Sequence, residues 1–267
     1  MRVLITILLI VAGISGGRAQ TAAFPYPDIP ATLTSNKARF VYCLENFWTR
    51  YQFADTTQHN RKVAEQGIVE YINLMQYADS VTGACAASIL ADSIAQHGGE
   101  CTLLFEGLID HYLGGAEAPL RNDLTYAHLL RALPPSPQRT FLLREVTKNQ
   151  VGTVAADLEF MNEDNKRQRL HDIRSQLTLV VFYDTRCEDC MEHLPAIRES
   201  QDLRSNAFRM ATVYIDTEAN PQAMQAYYLP SLPSLYLLDP DKRVLVKGGS
   251  LQQVIDMLHL ILNERAN

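Results

Sequence analysis

Cys187-Glu188-Asp189-Cys190 is the stretch of this chain whose residue types and spacing best suit chemistry. A cysteine acts as nucleophile or metal ligand in its thiolate form, so the surroundings of the pair decide what it can do. Before it runs Leu177-Thr178-Leu179-Val180-Val181-Phe182-Tyr183, apolar throughout and of strand length, rich in β-branched and aromatic residues. After it, Met191, Leu194 and Ile197 keep a helical period. Cys187 is therefore expected where a strand hands over to a helix, beside unpaired N–H groups and a macrodipole that favour a thiolate. Half of a zinc site is the other use of such a pair, but zinc needs a second close pair of Cys or His ligands. The sequence holds none, so no metal is expected.

The elements around the pair divide the chain in two. From Asn36 to residue 149 the pattern is helical, with helices expected near 61–77, 84–97, 100–114, 122–133 and 137–149. Their separators are breakers: Gly98-Gly99, Gly114-Gly115 and Pro134-Pro135-Ser136-Pro137. Phe40, Leu44, Phe47, Trp48 and Tyr51 form an aromatic stripe, read as core rather than as a ligand cage. His59, His97, His111 and His128 lack metal-ligand spacing and are read as surface or satisfied histidines. Residues 20–34, with Pro25, Pro27 and Pro30, read as an extended leader on the surface.

Beyond 149 strands alternate with helices. Ala156–Phe160, the turn Asn162–Asn165 and a return to Leu170 read as a hairpin. The run before the cysteines, then Phe208–Ile215, Ser234–Leu238 and Arg243–Lys247, read as strands, with Gly248-Gly249 ending the last. Leu251–Asn263 reads as an amphipathic helix turning Val254, Met257, Leu258 and Ile261 inward. The fold class is an α/β domain with a mixed sheet and helices on both faces, preceded by an all-α domain.

Composition bounds the function. With 24 Lys and Arg against 30 Asp and Glu, the net charge is −6, and no basic cluster appears, so nucleic acid is not an expected partner. The start, Met1-Arg2, an apolar run from Val3 to Val11 and small residues up to Ala19, has the form of a secretory signal peptide cut after Ala19. The run is shorter than the about 20 residues that span a bilayer. The expected domains are a signal peptide at 1–19, an all-helical domain at 20–148 and a redox domain at 149–267. Export to the periplasm or beyond follows, with no stable membrane insertion once the signal is removed. Five cysteines in such a chain leave at least one unpaired. Cys43, Cys85 and Cys101 are expected as buried free thiols.

Residues 149–267 resemble the thioredoxin fold, and within it the exported TlpA/ResA-like thiol–disulfide proteins. The resemblance rests on Gly152…Ala156-Asp157…Phe160, the strand with its Cys187–Cys190 pair, Pro195 five residues on, and Leu232-Pro233 before a strand. It implies a cis bond before Pro233, a kink at Pro195, a nucleophile at Cys187 and a resolving thiol at Cys190. It also implies that the backbone of Leu232 binds an extended substrate segment, with no cofactor. The helical half, through Phe47-Trp48…Tyr51-Gln52-Phe53-Ala54-Asp55-Thr56 and Pro119-Leu120-Arg121-Asn122, is similar to an uncharacterised domain that precedes thioredoxin-like modules in Bacteroidetes.

Departures from the pattern fall at the site. Arg186 stands where thioredoxin has tryptophan and is read as favouring the thiolate. Val181 aligns with thioredoxin's buried acid, so that proton acceptor is missing. His193 occupies the position of an assisting carboxylate, either as a proton shuttle or as a solvated helix-face histidine. A thiol peroxidase would need a Pro-x-x-x-Thr-x-x-Cys stretch, which Asp184-Thr185-Arg186-Cys187 lacks. The expected function is a cell-envelope thiol–disulfide oxidoreductase that reduces exported proteins and draws on an envelope electron donor. Its rival is a non-catalytic envelope binding module with a thioredoxin-like scaffold.

Overall fold

The computed structural model describes residues 23–55 and 57–266, so the signal-peptide reading of 1–19 lies outside the described residues. The first half is helical: α1 (Asn36–Glu45), α2 (Gln58–Met75), α3 (Ser80–His97), α4 (Gly99–Leu113), α5 (Asp123–Ala132) and α6 (Pro137–Val146). Local chemistry sets the starts. Ser35, Thr57, Asp79, Asn122 and Ser136 each accept a backbone N–H three residues on, and Pro137 fills the first position of α6.

The aromatic stripe is core, as read. However, α1 stops at Glu45, and Phe47, Trp48 and Tyr51 pack from the turns that follow it. Asn46 caps α1, its side chain donating to the Tyr42 carbonyl at 2.9 Å. Trp48 packs edge-on against Tyr71 and Phe105, and Phe53 tilts against Phe105 at 5.3 Å. The segment 23–34 is extended but does more than lie on the surface. Phe24 is buried and stacks on Phe47 at 4.7 Å, because an aromatic ring gains more in an apolar cluster than in water. Among the histidines, His128 departs from expectation: it is buried in α5 with no partner for Nδ1, and burial pushes its pKa down, which keeps it neutral.

The second half opens with the hairpin β1 (Glu159–Met161) and β2 (Arg167–Arg169), antiparallel as expected. A 3₁₀ turn at Leu170–Asp172 leads to β3 (Leu177–Tyr183), α7 (Glu188–Glu199) and α8 (Gln201–Arg204). Then follow β4 (Met210–Asp216), α9 (Gln222–Ala226), β5 (Ser234–Leu238), β6 (Val244–Gly249) and α10 (Leu251–Ala266). The main sheet has the order β4-β3-β5-β6, with β3 and β4 parallel and the other pairs antiparallel. Gly248 and Gly249 belong to β6 rather than ending it, with Gly249 paired to Leu235.

All seven residues of β3 are buried, as expected for a strand covered on both faces. Its alternation sorts them. Leu177, Leu179, Val181 and Tyr183 join Cys190, Leu194 and Ile197 of α7 and Val254 and Leu258 of α10. Val180 and Phe182 face Phe160 of the hairpin, Ala223 of α9 and Tyr227. Asn220, 1 % exposed, ties the hairpin on: it accepts from the Met161 N–H at 2.8 Å and donates to the Met161 carbonyl at 3.3 Å.

Candidate active site

The site sits where β3 ends and α7 begins. Cys187 is the N-cap of α7, and its Sγ accepts the Cys190 N–H at 3.3 Å. An N-cap sulfur among helix N–H donors is placed to carry negative charge. Cys187 is half-buried while Cys190 is fully buried. Burial pushes the Cys190 thiol up to about 12, partly offset by a backbone N–H of Asp184 and raised further by Cys187. The pair thus holds one thiol open to solvent and one held protonated beneath it.

From the other side comes the loop before β5. The Leu232-Pro233 bond is cis, as the resemblance implied, and Cys187 Sγ donates to the Leu232 carbonyl at 3.8 Å. Cys187, Cys190, Leu232 and Pro233 are therefore brought together. Pro195 lies inside α7. Val181, in the position of the missing acid, lines the same apolar cluster as Cys190, so nothing ionic relieves the burial of that thiol from below.

Of the expected supporting residues, Arg186 is held by other charges and His193 is exposed. Arg186 pairs with Asp184 at 3.2 Å and with Glu218 at 3.2 Å, so two carboxylates already compensate its charge. That guanidinium holds the Asp184 carboxyl below the usual carboxylate range. His193 is exposed on α7. Glu188 and Asp189 are exposed in the first turn of α7, where the dipole tolerates them.

The remaining cysteines are free thiols of three kinds: Cys101 buried, Cys43 half-buried and Cys85 exposed. The expectation that all three are buried fails at Cys85, which lies on the outer face of α3, a helix that turns Gly83, Ala86, Ala87 and Leu90 inward instead. Partial desolvation of the sulfur on the helix surface and the Glu45 carboxylate hold the Cys85 thiol up. Among the described residues, no group of three or more His, Cys, Asp or Glu is placed to hold a metal ion, and no helix is long and apolar enough to cross a membrane.

Residues 11–157, more than half of the chain, match the family described as "Domain of unknown function (DUF5106)". Residues 151–259 match the AhpC/TSA family. No curated protein matches. Among solved structures, the chain is similar to a thioredoxin-like protein from Bacteroides caccae, at 21% identity and a TM-score of 0.75, over 90% of this chain and 99% of that one. It is also similar to the C-terminal domain of an uncharacterized protein from Bacteroides fragilis, at 23% identity and a TM-score of 0.37, over 42% and 99% of the two chains. A third is the thioredoxin domain of a thiol-disulfide oxidoreductase from Bacteroides vulgatus, at 14% identity and a TM-score of 0.28, over 44% and 99%.

Proposed function

We propose that this chain, which belongs to the DUF5106 family and continues into a thioredoxin-like AhpC/TSA domain, is a thiol–disulfide oxidoreductase that reduces disulfides of exported proteins in the cell envelope. One observation carries the reading: an accessible N-cap thiol at Cys187 stands above a buried thiol at Cys190, with the Leu232 carbonyl beside the first sulfur. That asymmetry suits attack followed by resolution.

In the first step the Cys187 thiolate attacks one sulfur of a substrate disulfide. The substrate S–S bond breaks, a mixed disulfide forms, and the departing thiolate takes a proton from solvent. In the second, Cys190 loses its proton and attacks the Cys187 sulfur. The mixed disulfide breaks, and the substrate leaves as a dithiol. Two electrons pass to the substrate, and Cys187 and Cys190 are left as a disulfide. A dithiol of an envelope electron donor resets the pair by the reverse exchange. Pro233 offers no N–H to occupy the sulfur's approach, while the Leu232 carbonyl, released when Cys187 ionises and loses its S–H, can accept from an extended segment of client.

Insulin reduction by wild type and by Cys187→Ser tests the reading. The wild type turns over and the variant does not; equal slow rates would favour a binding module that uses the fold as scaffold. Cys190→Ser, unable to resolve, accumulates mixed disulfides at Cys187, and mass spectrometry of those adducts identifies the clients.

A further inference from the structure

The helical domain meets the second domain through a nearly dry charged cluster. Lys247 of β6, its side chain only 3% exposed, pairs with Asp123 of α5 at 2.8 Å. Arg121 pairs with the same carboxylate at 3.4 Å and donates to the Gly248 carbonyl at 3.2 Å. Lys247 also donates to the Val146 carbonyl at the end of α6. Removing charges from water is expensive unless each finds partners, and here every cation has at least two.

Both cations also approach Tyr228, with Lys247 Nζ 5.3 Å and the Arg121 guanidinium 5.9 Å from its ring centre. Tyr228 belongs to the second domain but packs against the core of the first. Its carbonyl accepts the Tyr236 hydroxyl of β5 at 2.8 Å. Only Leu229, Pro230 and Ser231 separate it from Leu232, whose carbonyl touches Cys187. Four residue steps reach at most about 14 Å, so a shift of Tyr228 has little slack in which to dissipate. Arg121 approaches the far end of the loop as well. A Cβ on Gly248 would lie 3.0 Å from Arg121 and 3.5 Å from the Ser234 hydroxyl, next to Pro233. Gly248 has φ +54°, so glycine serves both the backbone and that approach.

We propose that Arg121, Asp123, Lys247 and Tyr228 are positioning residues through which the helical domain holds the Leu229–Pro233 loop in its substrate-binding shape. The inference rests on the oxidoreductase reading for its catalytic meaning, but its structural part is measurable without activity. Arg121→Gln and Tyr228→Leu in the full chain speed amide exchange in the segment 229–235 by about tenfold, with exchange in α2 unchanged. The same variants raise KM for a protein disulfide about fivefold, with kcat within about twofold, because loop order serves substrate binding rather than the attack itself. Ile68→Val, a substitution in the core of α2 that leaves all four residues in place, keeps the wild-type KM.

Unchanged exchange in 229–235 overturns the proposal, as does faster exchange with an unchanged KM, or a KM that rises equally in Ile68→Val. A wild type that reduces no disulfide overturns the oxidoreductase reading alone, and the exchange measurement still decides whether the helical domain holds the loop.

Discussion

Cys190 shows how environment rather than identity sets a thiol's behaviour. Two residues with one side chain differ because α7 turns one outward at its N-cap and buries the other against Val181. The raised Cys190 thiol has a kinetic consequence. At neutral pH the resolving thiolate is scarce, so resolution of a mixed disulfide speeds up by about tenfold per pH unit between about pH 6 and about pH 8. Stopped-flow measurement of product release checks this, and a flat profile contradicts it.

It also has a thermodynamic one. The folded-state pKa lies above the unfolded value of about 8.5, so the stability tied to the thiol is intact below about pH 8.5 and lost as pH rises toward 12. Thermal unfolding of the reduced protein therefore falls more steeply above that pH than unfolding of Cys190→Ala. At His193, exposure favours the solvated-histidine alternative. His193→Ala is expected to keep insulin reduction within about twofold of wild type, whereas a general acid or base would cost about a hundredfold or more.

At the scale of elements, the sequence was most legible where one period dominates. The apolar run of β3 and the stripe of α10 announce themselves, because a strand covered twice and a helix covered once leave distinct patterns. The cysteine pair was legible for another reason, a rare residue type at local spacing, whereas the cis bond before Pro233 was expected only from the resemblance to the thioredoxin fold. Asn220 was not legible. Nothing near it in sequence marks a side chain that bonds the backbone of Met161, 59 residues away, across the junction of hairpin and sheet. Asn220→Ala removes both bonds from the Met161 backbone and costs about 1–3 kcal/mol in urea unfolding, with the hairpin loosened first. The end of β6 was misread for a related reason. Gly248-Gly249 resembles a breaker, yet the left-handed residue is needed because another domain's arginine reaches the backbone there.

At the scale of the molecule, the two halves were separable in the sequence by their periodicities, while the contact between them was not. Charges that meet across 124 residues, as Asp123 and Lys247 do, leave no local trace. Their burial sets the expected energies. Lys247→Ala leaves Asp123 with Arg121 as its remaining cation in a nearly dry interface and costs about 2–3 kcal/mol. Breaking the Asp28–Arg50 pair by Asp28→Ala costs under about 1 kcal/mol, since its side chains are 83% and 52% exposed. Equal costs in denaturant unfolding would mean that the interface is wetter than the structure has it.

The central claim is that Cys187 and Cys190 exchange electrons as one unit. A redox titration of the folded protein, read by alkylation and mass spectrometry at each cysteine, tests it most directly. The account predicts that Cys187 and Cys190 are protected together in a single two-electron transition, below about −200 mV, while Cys43, Cys85 and Cys101 stay free. Separate transitions, continued alkylation of both under oxidising buffer, or a shared potential near about −120 mV would contradict it.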